Sequence, residues 1–255
     1  MKKSMKERLL TLRPYLILLF IPMLFTILFG EVMSPVFVQN IPIAVFDMDN
    51  TVFRGSFIRT AAAEFGFSAE LRRIVDANAG NPFIRTKQIA RLLKGRSIGN
   101  LLEIAESMEV TSNLGKLIGI LKEQGYITGI ISDSYDCITN HLKNRYGFDF
   151  TIANELEFSK SIVTGEVKIP SVFVGGEDRL CRHDYCKLNA LIAVCKRYQV
   201  ELSNTIMIGD GENDICSIKK AGIGISFCST YGFIDSVADY VIKNPDFELL
   251  IPIIV

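Results

Sequence analysis

Three times in this 255-residue chain a short apolar run stops directly at a cluster of acids and hydroxyls. IPIAVF at residues 41–46 runs into DMDNT at 47–51. YITGII at 126–131 runs into Ser132, Asp133 and Ser134, and TIMI at 205–208 into GDGEND at 209–214. Runs this short, rich in β-branched residues and lacking polar alternation, read as strands buried on both faces. Helical spacing fills the gaps between them. Thr111 or Ser112 caps a helix with Leu114, Leu117, Ile118 and Leu121 on one face. Ile138, Leu142 and Tyr146 recur at four-residue spacing before Gly147. Asp184 can cap a helix carrying Leu188, Leu191, Ile192 and Cys195. Residues 151–168 read as two strands around Lys160 and Ser161, 215–221 as a helix, and 223–227 and 240–242 as the last strands. Strands alternating with helices predict an α/β fold, a doubly wound parallel sheet. Ligands of such sheets bind at the carboxyl ends of the strands, so the three polar clusters are expected to meet at one edge.

The domain boundaries follow from composition. Four helical segments between residues 55 and 109 are separated by Gly66, by Gly80, Asn81 and Pro82, and by Gly95. They predict a small helical cap inserted after the first strand, with the catalytic core at 41–54 and 110–255. Residues 1–40 stand apart as a basic and hydrophobic segment ending in a linker at 31–40.

Asp47 and Asp49 follow one strand, and Asp210 and Asp214 another. Carboxylates gathered at one edge repel unless a cation sits among them, and oxygen-only ligands suit a hard ion such as Mg²⁺. Lys187 and that cation would supply the positive charge that lets acids face a phosphate. Ser132 and the backbone N–H groups beside it can bond phosphoryl oxygens. The balanced charge, 28 basic against 28 acidic residues, gives no basic stripe for nucleic acid.

These residues resemble the four motifs of the haloacid-dehalogenase-type phosphatases, in particular the phosphoserine phosphatase-like branch. D-x-D-x-T is present at 47–51, a Ser after an apolar strand at Ser132, a Lys at Lys187, and G-D-G-x-N-D at 209–214. The resemblance covers about residues 41–250. It implies that Asp47 attacks phosphorus to form an aspartyl-phosphate, and that Asp49 protonates the leaving group and then activates water. It implies Mg²⁺ on Asp47, the backbone carbonyl of Asp49, and Asp210, with Asp214 in support. Ser132, Asp133 beside it, Lys187 and Asn213 would hold the phosphate of a small phosphorylated metabolite. In the phosphoserine enzymes a Glu after the first motif grips the substrate amine. That place falls near Ser56 here, with no acid nearby, so the substrate is expected to differ from phosphoserine. A cap arginine is also expected, from among Arg85, Arg91 and Arg96. A phosphotransferase using the same intermediate is the alternative reading.

Two further features stand outside this pattern. Residues 15–30 (YLILLFIPMLFTILFG) carry no charge and follow Lys2, Lys3, Lys6, Arg8 and Arg13. They predict a membrane segment with a cytoplasmic N-terminus, against a helix packed on protein or a cleaved signal. The stretch 13–51 also resembles the start of ABC-type export permeases, their first membrane helix and the acidic stretch outside it, which would imply a transport-associated fusion. The chemistry of the core, by contrast, suits a cytoplasmic enzyme. The chain has six cysteines, at 137, 181, 186, 195, 216 and 228, read as free thiols of a reducing compartment. Cys181, His183 and Cys186 could be three zinc ligands, with no fourth evident from the sequence. The alternative is a packed loop.

Overall fold

The computed structural model describes residues 41–175 and 180–254, all within one compact unit. The hydrophobic run at 15–30 and the rest of the first 40 residues lie outside the described part. Among the described residues no helix is long and apolar enough to cross a membrane.

A seven-stranded sheet runs in the order β4-β3-β2-β1-β5-β6-β7. The strands are β1 (Ile43–Phe46), β2 (Ile127–Tyr135), β3 (Phe150–Ser159), β4 (Ile162–Lys168), β5 (Thr205–Gly209), β6 (Ile223–Phe227) and β7 (Tyr240–Ile242). All neighbours pair parallel except β3 with β4, the antiparallel hairpin turned by Lys160 and Ser161. Strand β1 is central, with Phe46 opposite Ile130 on one side and Ile208 on the other. Its alternation divides the core. Ala44 and Phe46 join the apolar cluster on one face, with Leu114, Leu117 and Leu121 of α5 (Leu114–Glu123). Ile43 and Val45 join the other, with Leu188, Leu191 and Val194 of α7 (Lys187–Tyr198). The likeness of 13–51 to a permease is not supported, since its described part is this central strand and the turn after it.

The four helices α1 (Phe57–Phe65), α2 (Ser68–Ala77), α3 (Pro82–Leu92) and α4 (Ile98–Ser107) lie between β1 and β2 in the chain. They leave and rejoin the sheet through a narrow stalk, where Phe53 bridges Val110 antiparallel and the Thr111 N–H donates to the Val52 carbonyl at 2.9 Å. Helix α6 (Asp136–Tyr146) follows β2, and the short α8 (Ile215–Lys220) follows the loop after β5.

Two caps differ from the sequence reading. Helix α5 begins after Asn113, which takes a left-handed φ of 61°. The Thr111 hydroxyl instead donates to the Thr51 carbonyl at 2.6 Å, a tertiary bond that outcompetes local capping. Helix α7 begins after Cys186 rather than Asp184. Tyr185 bridges Val174 and the Cys186 N–H donates to the Phe173 carbonyl at 3.0 Å, which holds 185–186 extended until Lys187. Ser132, Asp133 and Ser134 also lie within β2, at its carboxyl end, rather than beyond it. The β2–β3 register shifts between Ile131 and Tyr135, and this irregularity frees the backbone there from the regular ladder.

Candidate active site

At the carboxyl end of β1 the chain turns through residues 48–52, with Asn50 at a φ of 56°. Asn and Gly reach that conformation most readily, and it turns Asp47 and Asp49 toward the same space. Asp47 is buried, and its Oδ1 is ion-paired to Lys187 Nζ. Lys187 is fully buried at the first position of α7, and it also meets Asp214 Oδ1 at 2.8 Å. Asp214 closes its second oxygen on the Gly211 N–H at 3.0 Å. A Cβ at Gly209 would collide with the Asp214 carboxylate, which explains the glycine there.

Asp47, Asp210 and Asp214 present carboxylate oxygens within 4.8 Å of one another. Asp214 is committed to Lys187 and Gly211, so Asp47 and Asp210 carry the freer oxygens. Burial pushes the Asp47 carboxyl well above the usual carboxylate range; Lys187 pulls it back, while Asp214, Asp210 and Asp133 push it further up. Burial raises Asp210 to about 6, with Asp214 adding to the rise. Burial alone would lower Lys187, but Asp214 and Asp47 override it and hold the ammonium well above the ordinary lysine value. One buried cation therefore serves several acids. A hard oxygen donor set with this excess of negative charge fits a divalent cation.

Asp49 is half-buried, and its Oδ1 accepts the N–H of Phe57, the first residue of α1, at 2.5 Å. This bond ties the acid to the inserted helices. Burial raises the Asp49 carboxyl to about 7, against the lowering effect of the Phe57 N–H.

These groups border a cavity of about 310 Å³. Asp47, Asp49, Asp133, Asp210 and Asn213 line it from the sheet side. Ser132 is fully buried, and its hydroxyl accepts the Ser134 N–H at 3.1 Å. Ser56, Arg59, Val75, Arg85 and Ile89 line the cavity from the inserted helices. Arg85 is thus the one of the three arginine candidates that reaches this space; Arg96 instead lies over the Phe65 ring, 4.2 Å from its centroid. Arg59, Glu212 and Tyr231 also line the cavity and went unnoticed in the sequence. Glu212 and Arg59 sit within or one helical turn from residues already singled out, a usable signal; Tyr231 follows no motif and carried none.

The family description "haloacid dehalogenase-like hydrolase" matches residues 44–219, more than two thirds of the chain. The chain belongs to the haloacid dehalogenase-like hydrolases. It is 28% identical over 186 residues to a phosphoserine phosphatase of Archaeoglobus fulgidus, covering 72% of this chain and 51% of that protein. It is 29% identical over 207 residues to the phosphoserine phosphatase of Methanocaldococcus jannaschii, covering 79% of this chain and 92% of that one. The Archaeoglobus protein and other curated phosphoserine phosphatases are matched over only about half their length. Among solved structures, this family member superposes on a phospho-aspartyl intermediate analogue of phosphoserine phosphatase with a TM-score of 0.71. The identity is 26%, covering 84% of this chain and 99% of that one.

Proposed function

We propose that this hydrolase cleaves small phosphomonoesters through a phosphoryl group carried on Asp47. The observation that carries the reading is the buried ion pair of Lys187 with Asp47 and Asp214 at the edge of an acid-lined cavity. Lys187 pulls the Asp47 carboxyl back toward ionisation against burial and the neighbouring acids, and a cation bound at Asp47 and Asp210 would complete it, so that an Asp47 oxygen can attack phosphorus as the ester P–O bond breaks. Asp49, raised to about 7, still holds its proton near neutrality and gives it to the departing alkoxide. The same carboxylate then takes a proton from water. That water attacks the phosphorus of the aspartyl-phosphate, releasing inorganic phosphate and restoring Asp47. Ser132 and the backbone N–H groups of the irregular β2 end, with Asn213, orient the phosphoryl oxygens. Mg²⁺ held by Asp47, Asp210 and the Asp49 backbone carbonyl would supply the second positive charge that the acid cluster calls for. The similarity to a phospho-aspartyl analogue structure supports this route.

The four inserted helices serve as the cap that contributes Arg59 and Arg85 to the cavity. Two cationic side chains beside a phosphate site favour an ester with a second anionic group. The named relatives are phosphoserine phosphatases, which makes phosphoserine the reference substrate. Ser56 in the cavity lining, where that branch has its amine-binding Glu, favours amine-free carboxylated esters over phosphoserine. The test is phosphate release by the full chain on a panel of small phosphomonoesters, with and without Mg²⁺, beside Asp47→Asn. Mg²⁺-dependent turnover lost in Asp47→Asn is expected, a fall of about 10³-fold or more. Turnover undiminished in that variant would overturn the mechanism, and phosphoserine ranking first would overturn the substrate preference.

A further inference from the structure

A second polar cluster lies beside Lys187 and Asp214 in the chain and contributes no residue to the cavity lining. Cys181, His183, Cys186 and Cys216 bring one ligand atom each to within 4.8 Å of the others. The first three belong to the loop that ends at α7, and Cys216 is the second residue of α8. Cys216 Sγ lies 3.3 Å from His183 Nδ1. Each of the three thiols faces the other two. The fourth ligand that the hexapeptide at 181–186 lacked is thus delivered by the fold from 30 residues further on.

From these positions we infer a zinc site of the Cys₃His type, separate from the acid cluster. Zn²⁺ takes thiolate at about 2.3 Å and imidazole at about 2.0–2.1 Å in tetrahedral geometry, which spaces its ligand atoms about 3.5–3.8 Å apart. The observed cluster needs only small side-chain adjustments to meet that spacing. The donor set selects the metal: soft sulfur suits zinc and excludes Mg²⁺, which the carboxylates of the neighbouring cluster suit. The convergence also stands out against the composition. Half of the six cysteines and one of only two histidines meet here. Cys186 is buried while the other three ligands are partly or fully exposed, so the ion has a route in. Three thiolates and a neutral imidazole around Zn²⁺ leave one net negative charge, and Lys219 lies near Cys216 to offset it.

The place of the site gives its purpose. Cys186 directly precedes Lys187, and Cys216 follows Asp214 by two residues. Zinc would tie together the two backbone segments that hold the Lys187–Asp214 ion pair. All four positions are protein ligands, which makes it a closed structural site rather than a catalytic one.

The experiment is metal analysis of the full chain purified without added chelator, beside Cys216→Ser, His183→Ala and, as a control, Cys137→Ser. The expected result is one zinc per chain in the wild type and in Cys137→Ser, and about tenfold less in the two ligand variants. Asp210→Asn should keep its zinc, which separates this site from the acid cluster. Cobalt titrated into zinc-stripped wild type gives a readout that depends on no variant. Intense thiolate-to-cobalt charge transfer with tetrahedral visible bands, bleached by zinc, is expected. Weak octahedral bands only, a disulfide among Cys181, Cys186 and Cys216 in freshly reduced protein, or zinc unchanged in both ligand variants would each overturn the site. None of these readouts depends on turnover, so the zinc site and the phosphatase reading can fail separately.

Discussion

Two polar clusters flank the same lysine, and they are opposites in every respect that governs metal choice. Toward the cavity stand carboxylates, hard donors, with Asp47 and Asp210 keeping oxygens free. The other cluster holds three thiols and an imidazole, a donor set that suits the tetrahedral shell of zinc. The acid cluster joins the end of β1 to the loop after β5, the thiol cluster joins the segment before α7 to the start of α8, and Lys187 links the two through Asp47 and Asp214. The contrast shows how one junction can be fixed and still work. An open oxygen site exchanges water and substrate at each turnover, while a closed sulfur site holds the backbone in place. With Mg²⁺ on the carboxylates and zinc on the thiols, as proposed above, donor hardness would keep the two metals apart.

The largest effect expected from any single change comes from removing the cation between them. Lys187→Met leaves Asp47 and Asp214 as buried carboxylates without their partner. Breaking a buried pair from one side costs about 3–5 kcal/mol, and turnover should vanish with the loss of phosphate charge neutralisation. Denaturant midpoints of wild type and variant measure the first, and phosphate release the second. Zinc content should survive in whatever fraction folds, since Lys187 is not a ligand. A variant as stable as wild type would show that the ion pair is not what the two clusters share.

The acid cluster was readable along the chain because each of its parts sits at the end of a strand, and strand ends in a parallel sheet converge by topology. The strand positions, the β3–β4 hairpin and the four inserted helices were legible for the same reason: apolar periodicity and glycine breaks are local signals. The thiol cluster was legible only in part. Cys181, His183 and Cys186 are close in sequence, but Cys216 lies in a helix whose distance from α7 depends on how β5 and β1 pair. The caps of α5 and α7 escaped for a related reason. Thr111 bonds to Thr51, 60 residues away, and Tyr185 is held by Val174, so tertiary partners decided what local propensity left open. Among the cavity residues, Arg85 could be nominated but not chosen over Arg91 and Arg96 until the direction of α3 was known.

That choice yields a smaller effect, confined to the cavity side. Arg85→Ala should raise KM for carboxylated phosphomonoesters about 10- to 100-fold, the worth of a hydrogen bond to a charged group. The kcat for such esters should change little, because the mechanism proposed above places the phosphoryl chemistry on Asp47 and Asp49. Arg96→Ala removes a stacking contact on Phe65 and should leave KM unchanged. Equal effects of the two substitutions on KM would show that the inserted helices do not read the substrate through Arg85.

The smallest effect is a pH dependence, and it has opposite signs in the two clusters. In magnesium-free protein Asp49 titrates at about 7 and Asp210 at about 6, against an ordinary value of 3.8. Between those limits the folded chain binds more protons than the unfolded chain, so these two acids lower stability as pH rises. Their contribution is intact below 3.8 and lost progressively up to about 7. Asp49→Asn keeps an acceptor for the Phe57 N–H and removes the titration. The melting temperature of wild type should therefore fall relative to Asp49→Asn as pH rises through this window, and saturating Mg²⁺ should shrink the difference. Thiolate ligands behave in reverse, since protons compete with zinc and the closed site weakens on acidification. Melting curves at several pH values, with Mg²⁺ and zinc varied one at a time, separate the two slopes. A wild-type slope that saturating Mg²⁺ leaves unchanged, or zinc stabilisation that does not fall on acidification, would mean that the clusters are not the hard and soft pair their side chains describe.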